Sequence, residues 1–399
     1  MLGLAEITGE DRVDFAKQAI RRQPFSQRGE RGGRDRAAAW RAAVGAAAQD
    51  RRGQLHHAHA EAFHRERRDR IADARAGNLA LDRQNSLGAA KSVAHGPRWS
   101  PAPPLRARVM NVRPRRSCLY MPGANAKALE KAKSLAADVL LLDLEDSVAP
   151  EAKAEARAQV AAAVKARGYG KREVIVRVNA LATPWGREDI AAACAAAPEG
   201  VLAPKVESAA QVKELDEALS AANLSKDAAL WVMIETPRAI FNLAEIAAAA
   251  RGTRLAAFVL GLNDLAKETR ARPGPSRAAF QTALSLTVAA ARAEGLTAID
   301  GVYNDIADSA GFETECKQGL EFGFDGKTLI HPSQIEACNT VFAPAEEEVA
   351  RARAIIAAFA LSENAGKGVI KVDGRMTELL HLEEARRVVA VAEAIAAMR

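Results

Sequence analysis

The sequence predicts a closed (β/α)8 barrel that follows a disordered N-terminal segment and carries a C-terminal helical extension. From Arg116 onward, short apolar runs alternate with longer Ala-rich amphipathic stretches, which is typical of repeated βα units around a parallel sheet. Eight such repeats fill roughly 230 residues, which matches a closed barrel in number and in length. A doubly wound sheet is the alternative architecture.

The first 109 residues differ from the rest in charge. Residues 1–109 contain 21 Lys and Arg against 12 Asp and Glu, or +9, so the net charge of +6 leaves −3 for the remainder. This segment also holds five of the seven histidines and shows no sustained apolar periodicity, which favours disorder. An RNA-binding arm or a His-rich metal tract is the functional alternative, but charge runs are usually solvated and these histidines lack ligand spacing. We therefore expect disorder here, a natural start at Met110 and no nucleic-acid partner.

The barrel is predicted to span residues 110–340. Its eight predicted strands cover residues 117–122, 139–144, 173–179, 200–205, 230–236, 256–261, 296–301 and 327–332. The remaining residues, 341–399, contain a helix from Glu346 to Leu361, a Gly-rich stretch and a last helix from Leu380 to Met398. Because this tail is longer than barrel closure requires, it is predicted to form a lid and a subunit contact.

Cysteine spacing and hydropathy bear on the compartment. Cys118, Cys194, Cys316 and Cys338 lie far apart in the sequence, which fits a reduced cytosol better than a disulfide framework. The sequence has no apolar run of about 18 residues, so no membrane span is predicted. We expect a cytoplasmic protein without a membrane partner.

Each predicted strand ends with charged, hydrogen-bonding or turn-forming residues. In chain order these residues are Tyr120 with Pro122 and Gly123, Glu145 with Asp146, Arg177 with Asn179, Lys205 with Glu207, Glu235, Asn263 with Asp264, Asp300 with Tyr303, and His331. Because the loops after barrel strands converge on one mouth, we expect these side chains to lie together there.

The carboxylates in this group predict a metal site. Several acids in one mouth repel one another unless a cation neutralises them, and oxygen donors without Cys or clustered His select Mg2+ or Mn2+. Glu235 and Asp264 are the predicted ligands because each follows an apolar run with a small residue or Gly nearby. Glu145 and Asp146 are predicted to orient metal-bound water or an arginine. A helix cap or a solvated loop acid is the alternative for any one of them.

Two basic residues at strand ends suggest different chemistry. Arg177 ends an apolar run, and its planar fork suits a substrate carboxylate or an enolate oxygen; a structural pair with Glu145 is the alternative. Lys205 could form a Schiff base with a carbonyl substrate, but acids such as Glu207 would raise its pKa, which disfavours a nucleophile. His331 is interpreted as a residue that packs and caps the barrel.

The first predicted helix starts with features that attract phosphate. Asn125 is placed to cap the helix, and Lys127 and Lys131 lie four residues apart on one face. A helix N-terminus with two lysines attracts anions, although a solvated lysine face is equally compatible with this stretch.

Eight motifs in order resemble the citrate lyase beta-subunit-like family of CoA ester lyases, which includes citramalyl-CoA and malyl-CoA lyases. They are "RRSCLYMPGANAKALEKA", "DLEDSV", "VRVNA", "PKVES", "IETPRAI", "GLNDL", "GFDGKTLIHPSQI" and "GKGVIKVDGRM". The resemblance covers about residues 113–399 and implies a barrel, a homotrimer and an acyl-CoA substrate. It also implies Mg2+ bound at Glu235 and Asp264 and substrate contact at Arg177.

The resemblance assigns further residues. It implies that Tyr120, Lys127 and Lys131 lie where relatives contact the CoA ester. It also implies that a carboxylate just beyond "GRM" serves as the acid/base of a neighbouring subunit. Glu378 stands at that position, where related enzymes often have Asp, so the reach is longer and Asp373 is the second candidate.

The expected activity is Mg2+-dependent retro-Claisen cleavage of a 3-hydroxy-3-carboxyacyl-CoA to acetyl-CoA and a 2-keto acid. In this scheme Arg177 stabilises the enolate oxygen and Glu378 takes the hydroxyl proton. Hydrolysis of the same thioester is the neighbouring alternative. A citrate lyase beta-like component of a larger complex and a Schiff-base aldolase that uses Lys205 also stay open at this point.

Overall fold

The computed structural model describes residues 113–398, so the predictions for residues 1–109 lie outside the described part of the chain. Eight parallel strands, β1 to β8, close into a barrel in sequence order. Their bounds are Ser117–Pro122, Val139–Asp143, Glu173–Arg177, Gly200–Ala203, Ala229–Ile234, Leu255–Leu260, Thr297–Asp300 and Gly326–Leu329. β1 pairs with β8 through Cys118↔Thr328 and Leu119↔Leu329, so the barrel is closed and the doubly wound alternative was wrong.

Helices follow the strands and continue into the C-terminal extension. In chain order, α1 to α12 are Ala126–Ala132, Lys153–Lys165, Gly186–Ala196, Ala209–Ala221, Pro237–Phe241, Leu243–Ala248, Leu262–Thr269, Gln281–Ala293, Ser309–Phe322, Ile335–Val341, Glu346–Ala360 and Leu379–Met398. Short 3-10 helices lie at Pro150–Ala152, Ala249–Arg251, Ala278–Phe280, Pro332–Gln334 and Ser362–Asn364. In the described part of the chain, no helix is long and apolar enough to cross a membrane.

The core has two layers because successive side chains of a strand point to opposite faces. One layer fills the barrel interior with residues such as Leu141, Ile175 and Trp231. The other packs alternate strand residues against the helices, as Leu140 and Val176 do. Strands that are buried on both faces explain why the sequence shows nearly continuous apolar runs.

Arg115 closes the N-terminal end of the barrel. Its Nε donates to Glu173 at 2.7 Å and its Nη1 donates to Thr297 at 2.8 Å. Its guanidinium lies 4.9 Å over the Trp231 ring, which is fully buried in the barrel. Because the functional groups of such barrels lie at the opposite end, this cluster is a stabilising one.

The C-terminal extension has its own apolar core. Helices α11 and α12 pack through residues that include Ile355, Leu382 and Val388. Between them the Gly-rich stretch forms an antiparallel hairpin of β9 (Val369–Val372) and β10 (Arg375–Glu378). The turn residues Asp373 and Gly374 have φ of 48° and 78°, which is the left-handed geometry that an Asp-Gly hairpin turn requires.

Candidate active site

Asp143 and Arg177 form the centre of the mouth. They end β2 and β3 and stand opposite each other in the strand register. Arg177 Nε donates to Asp143 Oδ1 at 2.6 Å and Nη2 donates to Oδ2 at 2.7 Å, and both side chains are buried. The same carboxylate accepts the backbone N–H groups of Glu145 and Ser147. Burial would raise the pKa of Asp143, but Arg177 and these N–H donors lower it below its usual value.

Only one edge of the Arg177 guanidinium remains for other partners. Nη1 lies 2.8 Å from Glu145 Oε2 and 3.1 Å from Asp146 Oδ2, and the Tyr120 ring lies 4.6 Å from the guanidinium carbon. The pairing of Arg177 with Glu145 is therefore present. Asp143 occupies two nitrogens of the guanidinium, so Nη1 is the part of Arg177 left for substrate, and the contact of Arg177 with substrate stays a prediction.

The Glu145 carboxylate is incompletely satisfied. Its Oε2 is buried and has no hydrogen-bond partner, since the nearby Nη1 of Arg177 is not aligned to donate to it. Burial raises the pKa of Glu145 to about 8; Arg177 opposes this rise, and the charges of Asp146 and Glu235 add to it. Burial and the neighbouring acids therefore favour the protonated form of Glu145 in the absence of a further cation.

Glu235 and Asp264 converge on Lys205. Glu235 follows β5, is 2% exposed, and its Oε1 accepts the backbone N–H of Lys205 at 2.7 Å. Lys205 Nζ lies 2.9 Å from Asp264 Oδ2, in the first turn of α7, and 4.0 Å from Glu235 Oε1. Burial raises the pKa of Glu235 to about 7, with Lys205 opposing the rise. The two predicted metal ligands thus share one cationic neighbour.

Gly261 makes room for Glu235. A Cβ at Gly261 would lie 2.6 Å from the Cβ of Glu235 and 2.7 Å from its Oε2. The absence of a side chain at the end of β6 therefore allows Glu235 to occupy the mouth. The sequence pattern "GLNDL", in which Gly261 precedes Asp264, carried the signal for this.

The donor set fits a hard divalent cation. Glu145, Glu235 and Asp264 offer only oxygen atoms, and the buried Glu145 Oε2 accepts no hydrogen bond, which suits Mg2+ or Mn2+. Within residues 113–398, no three His, Cys, Asp or Glu side chains form a ready ligand set. Glu235 and Asp264 could therefore hold such a cation as a pair, with water and substrate completing its coordination.

Lys205 is poorly suited to a Schiff base. Burial would lower the pKa of its ammonium, but the hydrogen bond to Asp264 and the charge of Glu235 raise it above the usual value. The acids responsible are Asp264 and Glu235. Glu145 adds to the rise, whereas Glu207, the acid expected from the sequence, forms no ion pair with Lys205.

Asp300 does not contribute to the mouth, contrary to the expectation from strand ends. Ile299 faces the barrel interior, so Asp300 faces the helix layer. There it is fully buried and accepts from Arg277 Nη1 at 2.8 Å and from Lys327 Nζ at 3.2 Å. Asp300 therefore belongs to a buried charged network that links β7 and β8 to α9, where Glu315 also pairs with Lys327.

Asn179 supports the mouth from outside. It accepts from Lys153 Nζ at 2.9 Å and donates to Asp189 at 2.6 Å. Lys153 Nζ also donates to the backbone carbonyls of Leu144 and Glu145 at 2.8 and 2.7 Å. Lys153, which no sequence motif singled out, thus fixes the loop that carries Glu145.

The start of α1 agrees with its prediction. The Asn125 side chain accepts the backbone N–H of Ala128 at 3.0 Å and caps the helix. Lys127 and Lys131 are exposed. The helix ends at Ala132. Gly123 is required just before it, because a Cβ there would lie 2.3 Å from the Asp143 carbonyl oxygen.

Glu378 and Asp373 lie on the hairpin of the extension. Glu378 is exposed on β10, and its backbone N–H donates to His381 Nδ1 at 3.0 Å. Its carboxylate makes no hydrogen bond or ion pair with any other described residue. Its service to a neighbouring subunit stays a prediction. His331 is exposed and does not pack in the barrel, contrary to expectation. Its Nδ1 accepts the Ser333 N–H and caps a 3-10 helix, so the expected capping role is present.

The chain is similar to a known protein family and to characterised proteins. The family model described as HpcH/HpaI aldolase/citrate lyase matches residues 116–332. A (3S)-malyl-CoA thioesterase of Cereibacter sphaeroides is 49% identical over 286 residues, which are 72% of this chain and 97% of that protein. The L-malyl-CoA/beta-methylmalyl-CoA lyase of the same species is 33% identical over 324 residues, which are 75% of this chain and 99% of that protein.

A solved structure gives the same result. Protein CitE from Mycobacterium tuberculosis, in complex with magnesium, acetoacetate and coenzyme A, matches with a TM-score of 0.56 and 31% identity. The match covers 69% of this chain and 97% of that chain. With the family model matching more than half of the chain and the barrel closed as the resemblance implied, this chain belongs to the HpcH/HpaI aldolase/citrate lyase family.

Proposed function

We propose that this chain is a Mg2+-dependent enzyme that acts on a CoA thioester of the malyl-CoA type, whose acyl group carries a hydroxyl and a carboxylate on the same carbon. The proposal depends on one observation above all: Glu235 and Asp264 converge on one cation, the Lys205 ammonium, in the mouth that also holds Arg177. The thioesterase and lyase relatives, and the magnesium and coenzyme A in the CitE complex, support this choice of cation and substrate class.

The substrate would enter with its acyl group in the mouth and its nucleotide outside. When bound at Glu235 and Asp264, Mg2+ would supply Lewis-acid binding of the hydroxyl and carboxylate of the acyl group. The exposed Lys127 and Lys131 at the start of α1 would attract the phosphates of CoA. Tyr120, whose ring lies against Arg177, would contact the acyl or pantetheine part.

Arg177 would supply the main electrostatic stabilisation. Asp143 fixes its guanidinium with two hydrogen bonds, so Nη1 is held in one position before the reaction starts. A fixed positive charge stabilises an oxygen that becomes negative in the transition state without reorganisation. Glu145 and Asp146 would orient Nη1 and an attacking water, and Lys153 holds their loop.

Hydrolysis is the reaction that the relatives favour. Proteins named (3S)-malyl-CoA thioesterase are 48–49% identical to this chain, against 33% for the lyase. In hydrolysis, water attacks the thioester carbonyl carbon and Arg177 stabilises the tetrahedral oxyanion. The carbon–sulfur bond then breaks and the CoA thiolate takes the proton that the water released.

Retro-Claisen cleavage, the activity that the sequence motifs favour, is the second candidate, and the lyase relative supports it. A base, for which we propose Glu378 of a neighbouring subunit or alternatively Asp373, removes the hydroxyl proton. The carbon–carbon bond breaks, the hydroxyl carbon becomes a ketone or aldehyde, and the electron pair forms the thioester enolate beside Arg177. Protonation of the enolate gives acetyl-CoA.

The exposed position of Glu378 also underlies a proposal about assembly. Exposed apolar residues on the hairpin and on α12, including Met376, Leu379 and Leu380, would be covered by a neighbouring copy in the expected homotrimer. We also propose a cytoplasmic location, since all four cysteines are free and buried.

The decisive experiment measures two products. The protein is incubated with Mg2+ and separately with malyl-CoA, citramalyl-CoA, methylmalyl-CoA and citryl-CoA, and free thiol and keto acid are followed. Thiol without keto acid would establish hydrolysis, and keto acid without thiol would establish cleavage. Activity that persists in EDTA and is trapped by borohydride would instead favour a Lys205 Schiff base and contradict the proposal. If none of the four esters yields either free thiol or keto acid, the proposal is refuted.

A further inference from the structure

Lys205 has an unusual backbone conformation. It follows Pro204 at the end of β4 and has φ of 54°. A residue other than Gly adopts this left-handed region rarely, and it persists where surrounding contacts impose it. This geometry lets one residue reach both predicted metal ligands: its N–H donates to Glu235 Oε1 at 2.7 Å and its Nζ to Asp264 Oδ2 at 2.9 Å.

The contact of Lys205 with Glu235 and Asp264 neutralises negative charge in the mouth. Arg177 is committed to Asp143 and to the two acids that follow it. Among the residues that the structure describes, only Lys205 forms an ion pair with Glu235 or with Asp264. Without the Lys205 ammonium, the carboxylates of Glu235 and Asp264 would repel each other.

The backbone N–H and the side-chain ammonium of Lys205 differ in mobility. Its N–H is part of the backbone and is bound to the buried Glu235. Its side chain is 43% exposed, on a stem that can rotate towards solvent. The ammonium can therefore leave Asp264 while the N–H keeps one oxygen of Glu235 in place.

We propose that the Lys205 ammonium occupies the cation position between Glu235 and Asp264 in the metal-free enzyme and is displaced when Mg2+ binds. Lys205 then competes with Mg2+ for this position and lowers the affinity for the metal. In the metal-free enzyme it also offsets the repulsion between Glu235 and Asp264. The inference rests on the proposed function, because it takes Glu235 and Asp264 as the metal ligands.

The test uses Mg2+ alone as the probe. Lys205→Met removes the ammonium and keeps a long side chain, and Lys205→Gln removes the charge with a polar side chain should the Met variant fold poorly. Lys267→Met is the matched control, because it removes the same charge from an exposed position on α7, the helix that carries Asp264. After dialysis against EDTA, calorimetry measures the dissociation constant for Mg2+, and thermal unfolding is followed with and without Mg2+.

The Lys205 variants are expected to bind Mg2+ about fivefold more tightly than the natural chain, which corresponds to about 1 kcal/mol for a partly exposed pair. They should also unfold at a lower temperature than the natural chain in EDTA, and this difference should shrink in saturating Mg2+. Lys267→Met should change neither quantity.

Two failures are distinguishable. If the natural chain binds Mg2+ and the Lys205 variants bind it equally or more weakly, Lys205 is no competitor and the inference is overturned while the proposed function stands. If the natural chain itself shows no Mg2+ binding at millimolar concentration, the metal site of the proposed function fails, and the inference fails with it.

Discussion

Asp143 and Arg177 end neighbouring strands at the same level of the barrel and are joined by two hydrogen bonds of 2.6 and 2.7 Å. This pair links the fold to the chemistry, because the carboxylate that satisfies a buried guanidinium also accepts the N–H groups that shape the loop of Glu145. Stability and activity should therefore respond together when the pair is broken.

Asp143→Ala should lower the free energy of unfolding by about 3–5 kcal/mol, because it leaves a buried guanidinium without its partner. Urea denaturation measures the change. Glu214→Ala is the control, since Glu214 forms an exposed pair with Arg187 at 3.6 Å, and it should cost less than about 1 kcal/mol. Equal losses in the two variants would contradict the central role of the pair.

Arg177→Lys should keep the charge and lose the fixed geometry, because an ammonium cannot hold Asp143 through two parallel hydrogen bonds. We expect kcat on malyl-CoA to fall about 100-fold to 1,000-fold, with a smaller effect on KM. Arg187→Lys, at an exposed position, is the control and should retain full activity. An Arg177→Lys enzyme with normal kcat would show that Nη1 does not stabilise the transition state.

Glu235→Gln and Asp264→Asn should each weaken Mg2+ binding by at least about 100-fold, because each removes one of the two carboxylate ligands of the metal. Calorimetry with Mg2+ reads this directly, independently of turnover. Asp227→Asn, on the surface, is the control for loss of one negative charge. Unchanged affinity in both ligand variants would move the metal site elsewhere.

Glu145 should make the metal-free protein less stable as pH rises. Its pKa is raised to about 8 in the folded chain, whereas an unfolded Glu titrates near 4.3. Between these values the folded state holds a proton that the unfolded state has lost, so the free energy of unfolding falls with increasing pH. Urea denaturation in EDTA at pH 5, 6, 7 and 8 should show this fall, and Glu145→Gln should reduce it. Glu336→Gln, an exposed acid on α10, should leave the slope as it is.

Lys127→Ala combined with Lys131→Ala should raise KM for the CoA ester about tenfold at low salt, because two contacts with phosphate are lost. KM for the corresponding pantetheine thioester, which lacks the nucleotide, should not change. Lys226→Ala, at a distant exposed site, is the control. A similar rise in KM for both substrates would place these lysines near the acyl group.

The number, order and approximate bounds of the strands could be predicted, because parallel strands buried on both faces leave unbroken apolar runs. The first predicted strand has the bounds that the structure shows, and others extend beyond the observed ends by up to three residues, as in residues 173–179 against Glu173–Arg177. The extra predicted residues include polar ones such as Asn179, which lies beyond the strand and forms a side-chain hydrogen bond with Asp189.

The site was predictable only where side-chain position follows from strand order. Glu235, Asp264, Glu145 and Arg177 could be identified because each follows an apolar run. The partnership of Asp143 with Arg177 depends on strand register, which the sequence does not display. Asp300 was misplaced because a shift of one residue along a strand reverses the face to which a side chain points. The left-handed backbone of Lys205 left no sequence signal, since Lys has no preference for it.

Gly261 has a consequence for how this enzyme tolerates variation. Any side chain at this position would occupy the volume of Glu235, so even an alanine would push the carboxylate out of the mouth. In a saturation library scored by turnover, Gly261 should accept as few replacements as the acidic residues themselves. A residue without a functional group would then rank among the least replaceable in the chain.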